Sequence, residues 1–199
     1  MNRVPLLAFL LVLGLAACDS GSRAPAGSQT PTPTPTATPT STPVPTPTPS
    51  GCVSEGLAPG DHSVPCEGLT YEVRMPASCP AAGCGLILDV HGFTMSGDME
   101  DANTGLRALG EANGYVVVQP TANGSPASWS EADYDDVYSF LLDAMTLGVD
   151  PDRVHVTGFS QGGQLTFGMV CRWPETFASA APGARFAYSA FTETSNVWS

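Results

Sequence analysis

The chain contains no lysine: all seven basic residues are arginine, set against 19 Asp and Glu for a net charge of −12 over 199 residues. That balance excludes a nucleic-acid partner, because a surface this acidic repels phosphate and no window clusters the cations that counterion release requires. No apolar run reaches the ~20 residues needed to cross a hydrocarbon core of ~30 Å; the uncharged stretch from Val4 to Ala17 is too short. Histidine is scarce, with three residues and none after His155. None has ligand spacing near a cysteine, so no metal site is expected. Charge is also missing between Arg23 and Glu55.

What the first fifty residues do contain is an export pattern and a spacer. Arg3 supplies a short cationic start, the apolar stretch follows, and Leu15-Ala16-Ala17-Cys18 closes it. This is signal-peptide anatomy, and the quartet resembles a bacterial lipobox. The resemblance implies cleavage before Cys18 and lipid on its sulfur, with several acyl chains anchoring the protein firmly to a membrane. The expected location is extracytoplasmic, at the cell surface or in the periplasm. The segment 30–50 alternates Thr and Pro, with eight prolines from Pro31 to Pro49. Proline restricts itself and its predecessor, so this segment reads as an extended tether of roughly 60 Å. The expected organisation is a signal peptide over 1–17, a lipidated cysteine and spacer over 18–50, and one domain over 51–199.

Beyond Gly51 short apolar runs alternate with amphipathic stretches. Leu69 to Met75, Leu86 to Val90, Tyr115 to Gln119 and Val154 to Thr157 read as strands, and Phe177 to Ala181 as the opening of another. Met99, Ala102, Leu106 and Leu109 have helical spacing, predicting one helix over 99–113 that Gly114 stops. Helices are also predicted over 134–147, through Tyr134, Val137, Leu141 and Met145, and over 165–171. Continuous buried strands alternating with helices predict an α/β domain: a mostly parallel sheet covered on both faces.

The strongest chemical pattern is Gly158-Phe159-Ser160-Gln161-Gly162, between a predicted strand and a predicted helix. That context is what a nucleophile elbow requires. The turn is so sharp that positions 158 and 162 need residues without a Cβ. It exposes the Ser160 hydroxyl and aims the helix N-terminus at any developing oxyanion. A second element, Asp89-Val90-His91-Gly92-Phe93, follows a buried strand at the position that supplies the other oxyanion donor. The expected donors are the backbone N–H groups of Phe93 and Gln161. His91 is expected to hold its loop rather than to move protons.

Together, residues 85–97, Tyr115 to Pro120, Ser128-Trp129 and Asp152-Arg153-Val154 leading into Gly-Phe-Ser-Gln-Gly-Gly resemble the polyhydroxybutyrate depolymerase and feruloyl esterase-like family of secreted α/β-hydrolases. The resemblance covers about residues 69–181. It implies cofactor-free hydrolysis of carboxylic esters, such as polyester oligomers or acylated polysaccharides, by Ser, Asp and His in that chain order. Ser160 corresponds to the nucleophile and Trp129 becomes a candidate substrate contact, against the reading of a buried loop aromatic.

The chain departs from that family after Ser160, where Glu175 and Glu193 are the acids and no histidine occurs. A serine hydroxyl attacks poorly without a base at ~2.6–3.2 Å. His155 precedes Ser160 by roughly 16 Å of extended chain, and His62 is expected before the first strand. The expectation is therefore an α/β-hydrolase-like chain whose C-terminal strands and triad partners are absent, by truncation or frameshift, with impaired activity. The alternative functions are a non-catalytic surface lipoprotein that binds polysaccharide or polyester, and the product of a damaged gene. Cys52–Cys66 and Cys79–Cys84 are the expected disulfides, leaving Cys171 odd. The acidic runs Asp98–Asp101 and Asp133–Asp136 are expected to be solvated faces at helix starts.

Overall fold

The computed structural model describes residues 47–53 and 56–184. The expected signal peptide, Cys18, nearly all of the Thr/Pro spacer and Glu193 lie outside them. The chain builds six strands: β1 (Gly60–Cys66), β2 (Leu69–Met75), β3 (Cys84–Val90), β4 (Tyr115–Thr121), β5 (Val149–Phe159) and β6 (Ser179–Gly183). Helices α1 (Gly97–Thr104) and α2 (Leu106–Ala112) join β3 to β4, α3 (Asp133–Met145) joins β4 to β5, and α4 (Gln161–Arg172) joins β5 to β6.

One sheet holds all six strands in the order β1-β2-β4-β3-β5-β6. β1 and β2 are antiparallel to their neighbours; β4, β3, β5 and β6 run parallel. Right-handed crossovers fix where the helices go. The step from β3 to β4 travels in one direction and the steps to β5 and β6 in the other. α1 and α2 therefore cover one face while α3 and α4 cover the opposite face. The side chains agree: on β4, Val117 lies beside Gly110 of α2. On β2, Tyr71, opposite Pro120 of β4, stacks on Phe140 of α3 at 3.7 Å. Leu86, Leu88, Val90, Val154 and Val156 are essentially buried. Each large aliphatic side chain so buried stabilises the fold by about 2 kcal/mol. This is the mostly parallel α/β sheet, covered by helices on both faces, that the strand and helix alternation predicts.

Several expectations need correction. The helix predicted over 99–113 is two helices, because Gly105 takes a left-handed φ of 64° and its N–H caps Asp101 O. Two residues of the expected apolar stripe also face outward, Met99 at 51% exposure and Leu109 at 58%. His62 lies within a strand rather than before the first one. The segment Gly60–Cys66 forms β1 by pairing along the whole of β2, a tertiary contact that its polar composition and Pro65 conceal. β5 starts at Val149, earlier than the apolar run suggests, because Val149 pairs with Cys84 across an irregularity in the register.

The disulfides Cys52–Cys66 and Cys79–Cys84 are both formed. The first ties the segment before β1 to the end of that strand. Asp143 of α3 adds a second fastening, accepting from the Cys52 N–H at 2.8 Å and from the Ser50 hydroxyl. Cys171 is not the odd thiol expected from the count: it too is engaged, and no described cysteine is free. Replacing Cys52 and Cys66 by serine is expected to cost about 3 kcal/mol, from the loop of 14 residues that the bond closes. Urea denaturation of the double variant against the parent checks this. No helix among the described residues is long and apolar enough to cross a membrane.

Candidate active site

The strand order places the site. β4 lies on one side of β3 and β5 on the other, so the chain leaves the carboxyl end of β3 at a topological switch point, where α/β sheets open a crevice. Ser160 tops β5 there, and His91-Gly92-Phe93 tops β3. Contact joins the two turns: a Cβ on Gly92 would lie 3.3 Å from the Phe159 ring and 3.4 Å from its carbonyl oxygen.

Ser160 adopts φ 54° and ψ −113°, a conformation that costs a non-glycine residue energy and persists only where neighbours impose it. Here they are backbone. The Ser160 N–H donates to Gly183 O of β6 at 2.9 Å, and Ser160 O accepts from the Gln164 N–H at 3.1 Å, opening α4. A Cβ at position 158 would fall 2.7 Å from Val90 O and from the Gly162 carbonyl. One at position 162 would collide with Val90 O and His91 O. Both glycines are thus required by close approach. Gly163, which the sequence pattern does not single out, is held as tightly against Gly183 O.

The N–H groups of Phe93 and Gln161 take no hydrogen-bond partner among the described residues. That of Gln161 is an orphan donor at the first turn of α4. The Gln161 side chain has separate work. Its Oε1 accepts from the Trp129 N–H at 3.0 Å, and its Nε2 donates to Ser128 Oγ at 3.0 Å and Trp129 O at 3.2 Å. Trp129 is 3% exposed, and its indole N–H donates to His91 O at 2.8 Å. The indole therefore props the His91 loop from below, as the buried-aromatic reading describes. Phe93 and Phe159, in contrast, are both half exposed.

None of the described histidines is placed to take the Ser160 proton. His91 uses both ring nitrogens: Nδ1 is 2.6 Å from Gly92 O, and Nε2 accepts the Ala122 N–H at 3.0 Å. That pattern fixes a neutral ring protonated at Nδ1, and burial lowers its pKa. His155 sits within β5 with Nδ1 2.8 Å from Ser179 Oγ. His62 bonds Ala58 O on β1, four strand spacings or about 19 Å from β5. Glu175 follows the C-terminal end of α4, about 18 Å of helix from Ser160.

Beneath the β3 turn lies a polar cluster that the sequence reading missed. Asp89 is buried; its Oδ2 accepts from Gln119 Nε2 at 2.7 Å and Thr104 Oγ1 at 3.1 Å. Gln119 Oε1 accepts from Arg107 Nε at 2.6 Å, and Arg107 also pairs with Asp98. Glu100 corrects the expectation of a solvated acidic face: at 2% exposure it points inward. Its carboxyl pKa is pushed up to about 7, by burial first and then by the Asp89 charge, while the Gly92 N–H favours the ionised form. Among the described residues no three His, Cys, Asp or Glu side chains gather in a way that could hold a metal.

No family model matches the chain. It is 29% identical over 138 residues to poly(3-hydroxyalkanoate) depolymerase C of Paucimonas lemoignei, which covers 62% of this chain and 32% of that protein. It is 29% identical over 101 residues to the bifunctional acetylxylan esterase/xylanase XynS20E of Neocallimastix patriciarum, covering 49% and 15% respectively. The chain thus spans about a third or less of the length of these curated relatives. Among solved structures, the acetyl xylan esterase from Aspergillus awamori superposes with a TM-score of 0.52 at 23% identity, over 56% of this chain and 45% of that one. That likeness bears on the fold.

Proposed function

We propose that this chain is a carboxylic ester hydrolase of the polyhydroxybutyrate depolymerase and feruloyl esterase-like type, with Ser160 as its nucleophile. The observation that carries the reading is the Ser160 backbone: a serine at φ 54° between strand and helix, gripped by Gly158 and Gly162 against the end of β3. Ser160 Oγ would attack the ester carbonyl carbon while the N–H groups of Phe93 and Gln161 receive the developing oxyanion. Collapse of the tetrahedral species would release the alcohol and leave an acyl-serine, which water then hydrolyses. The substrates proposed are polyester oligomers or acylated polysaccharides, the classes that the relatives' names carry.

The attack requires that the hydroxyl proton go to a base, and residues 161–199 contain no histidine. We therefore expect this chain alone to be impaired, with Ser160 attacking esters only slowly because no positioned base takes its proton. The test is hydrolysis of p-nitrophenyl butyrate and methyl ferulate by the full chain and by Ser160→Ala, both verified as folded. Slow hydrolysis that disappears in the variant is the expected result; identical rates would sink the nucleophile assignment. The lipobox-like quartet and the Thr/Pro spacer support a second reading, a surface-tethered lipoprotein that binds polyester or polysaccharide without turnover. Retention on polyhydroxybutyrate granules with no product, unchanged by Ser160→Ala, would support it.

The two disulfides suit an oxidising, extracytoplasmic compartment. The lipobox-like quartet ending at Cys18 supports a lipid anchor there, with the Thr/Pro segment as spacer. Cys18→Ser is expected to move the protein from the membrane fraction to the soluble exported fraction; continued sedimentation with membranes would count against the anchor.

A further inference from the structure

The two expected oxyanion donors sit on different elements, the Phe93 N–H on the turn after β3 and the Gln161 N–H at the start of α4. Among the described residues no hydrogen bond runs directly from residues 91–95 to Gln161. Both are fastened instead to one loop, residues 122–129, which leaves the end of β4. On the β3 side, the Ala122 N–H donates to His91 Nε2 at 3.0 Å and the Trp129 indole N–H to His91 O at 2.8 Å. Ala127 O accepts from the Thr94 N–H at 2.9 Å. On the α4 side, the Gln161 side chain makes three bonds to the same loop, with the Trp129 N–H, Trp129 O and Ser128 Oγ.

The Phe93 N–H shares its peptide with Gly92 O. A trans peptide is planar, with its C=O and N–H pointing opposite ways, so whatever holds Gly92 O also aims the Phe93 N–H. Gly92 O accepts from His91 Nδ1 at 2.6 Å and from the Met95 N–H at 3.2 Å. His91 is itself held by the loop, through its ring at Ala122, through its carbonyl at Trp129, and by ring contact with Trp129 at 4.8 Å between centroids. Trp129 is buried. A continuous path of hydrogen bonds and ring contact therefore leads from the Gln161 side chain through Trp129 and His91 to the Phe93 N–H.

We propose that the Gln161 side chain is a positioning residue: through Trp129 and His91 it sets the direction of the Phe93 N–H relative to the N–H of Gln161 itself, so that the loop 122–129 splints two donors carried by separate elements. The catalytic part of this inference rests on the reading of Ser160 as nucleophile, whereas the linkage between Gln161 and the β3 turn does not. An oxyanion is stabilised only by donors held ready at hydrogen-bond distance from it. Two donors on separate elements keep one spacing when a third segment is bonded to both.

Gln161→Met tests this in the full chain, because it keeps the side-chain length and the backbone N–H while losing all three bonds to the loop. With folding verified by thermal unfolding, the variant is expected to shift the Phe93 backbone amide resonance, although Gln161 makes no bond to the β3 turn. An unmoved Phe93 amide would overturn the linkage. Should Gln161→Met fail to fold, Ser128→Ala, which removes one of the three bonds, is read the same way. In parallel, Gln161→Met is expected to lower kcat for p-nitrophenyl butyrate about tenfold or more with little change in KM, since outright loss of an oxyanion donor costs about 10²–10³-fold. Trp129→Phe, which takes the indole N–H from His91 O, is expected to do the same. The double variant should be no slower than the slower single one, because both changes break one path. Losses that multiply, or a rise in KM alone, would overturn the positioning role. If Ser160→Ala hydrolyses as fast as the parent, the nucleophile reading fails, while the Phe93 amide still decides the linkage.

Discussion

Gly162→Ala is expected to destabilise the fold by about 3 kcal/mol or more, the upper end of what overpacking costs, and so to lower the melting temperature by about 10 °C. The added Cβ would run into Val90 O and His91 O. Those oxygens belong to the end of a central strand, which cannot yield as a flexible side chain would. Gly105→Ala provides the contrast. At φ 64° nothing lies within 4 Å of the added carbon, so the cost is only the left-handed backbone, about 1 kcal/mol. Thermal unfolding of both variants checks the ranking. If Gly162→Ala melts within a few degrees of Gly105→Ala, the close packing of the Ser160 turn on β3 is refuted.

The second large effect is on the dependence of stability on pH. In the folded chain Glu100 binds its proton more tightly than the ordinary value of 4.5, releasing it only at about 7. The unfolded chain therefore loses the proton first as pH rises, and stability falls across that window. Below about 4.5 the penalty is absent; above about 7 it is complete, at about 3 kcal/mol. Asp89 is raised in the same direction, chiefly by burial, and Asp136 to about 6, by burial and its hydrogen bond with Glu67. Glu100→Gln keeps the shape without the charge. It is expected to be the more stable form at pH 8 and to lose most of its advantage at pH 4.5. Urea denaturation at the two pH values decides; equal stability at pH 8 would refute a buried, proton-binding Glu100.

The central strands were legible because a strand buried on both faces must be apolar throughout, and Leu86 to Val90 and Tyr115 to Gln119 satisfy that almost without interruption. The Ser160 turn was legible for a different reason. Its glycines respond to a local steric demand, and Gly158 and Gly162 meet the backbone that the spacing implies. β1 was not legible, because its strand character comes from pairing with β2 rather than from its own alternation. The kink at Gly105 was hidden for a similar reason. Met99, Ala102, Leu106 and Leu109 keep helical spacing across it, but periodicity does not report whether a glycine in the middle turns left-handed.

Glu100 marks the limit of reading a charge run from sequence. Within Asp98-Met99-Glu100-Asp101 the acidic residues look alike, yet Asp98 faces solvent while Glu100 is buried beneath the β3 turn. They stand about 200° apart around α1, and the packing of that helix on the sheet decides which of the two is buried. By itself the sequence determined the α/β class, the strand-turn-helix around Ser160 and the two short disulfide loops, since each depends on neighbours a few residues apart. The tertiary structure decided the rest. Strand order brings the Phe93 turn against Ser160 and removes His62 from its reach, and helix packing buries Glu100. These distances are fixed by packing between segments far apart in the chain, which no local pattern records.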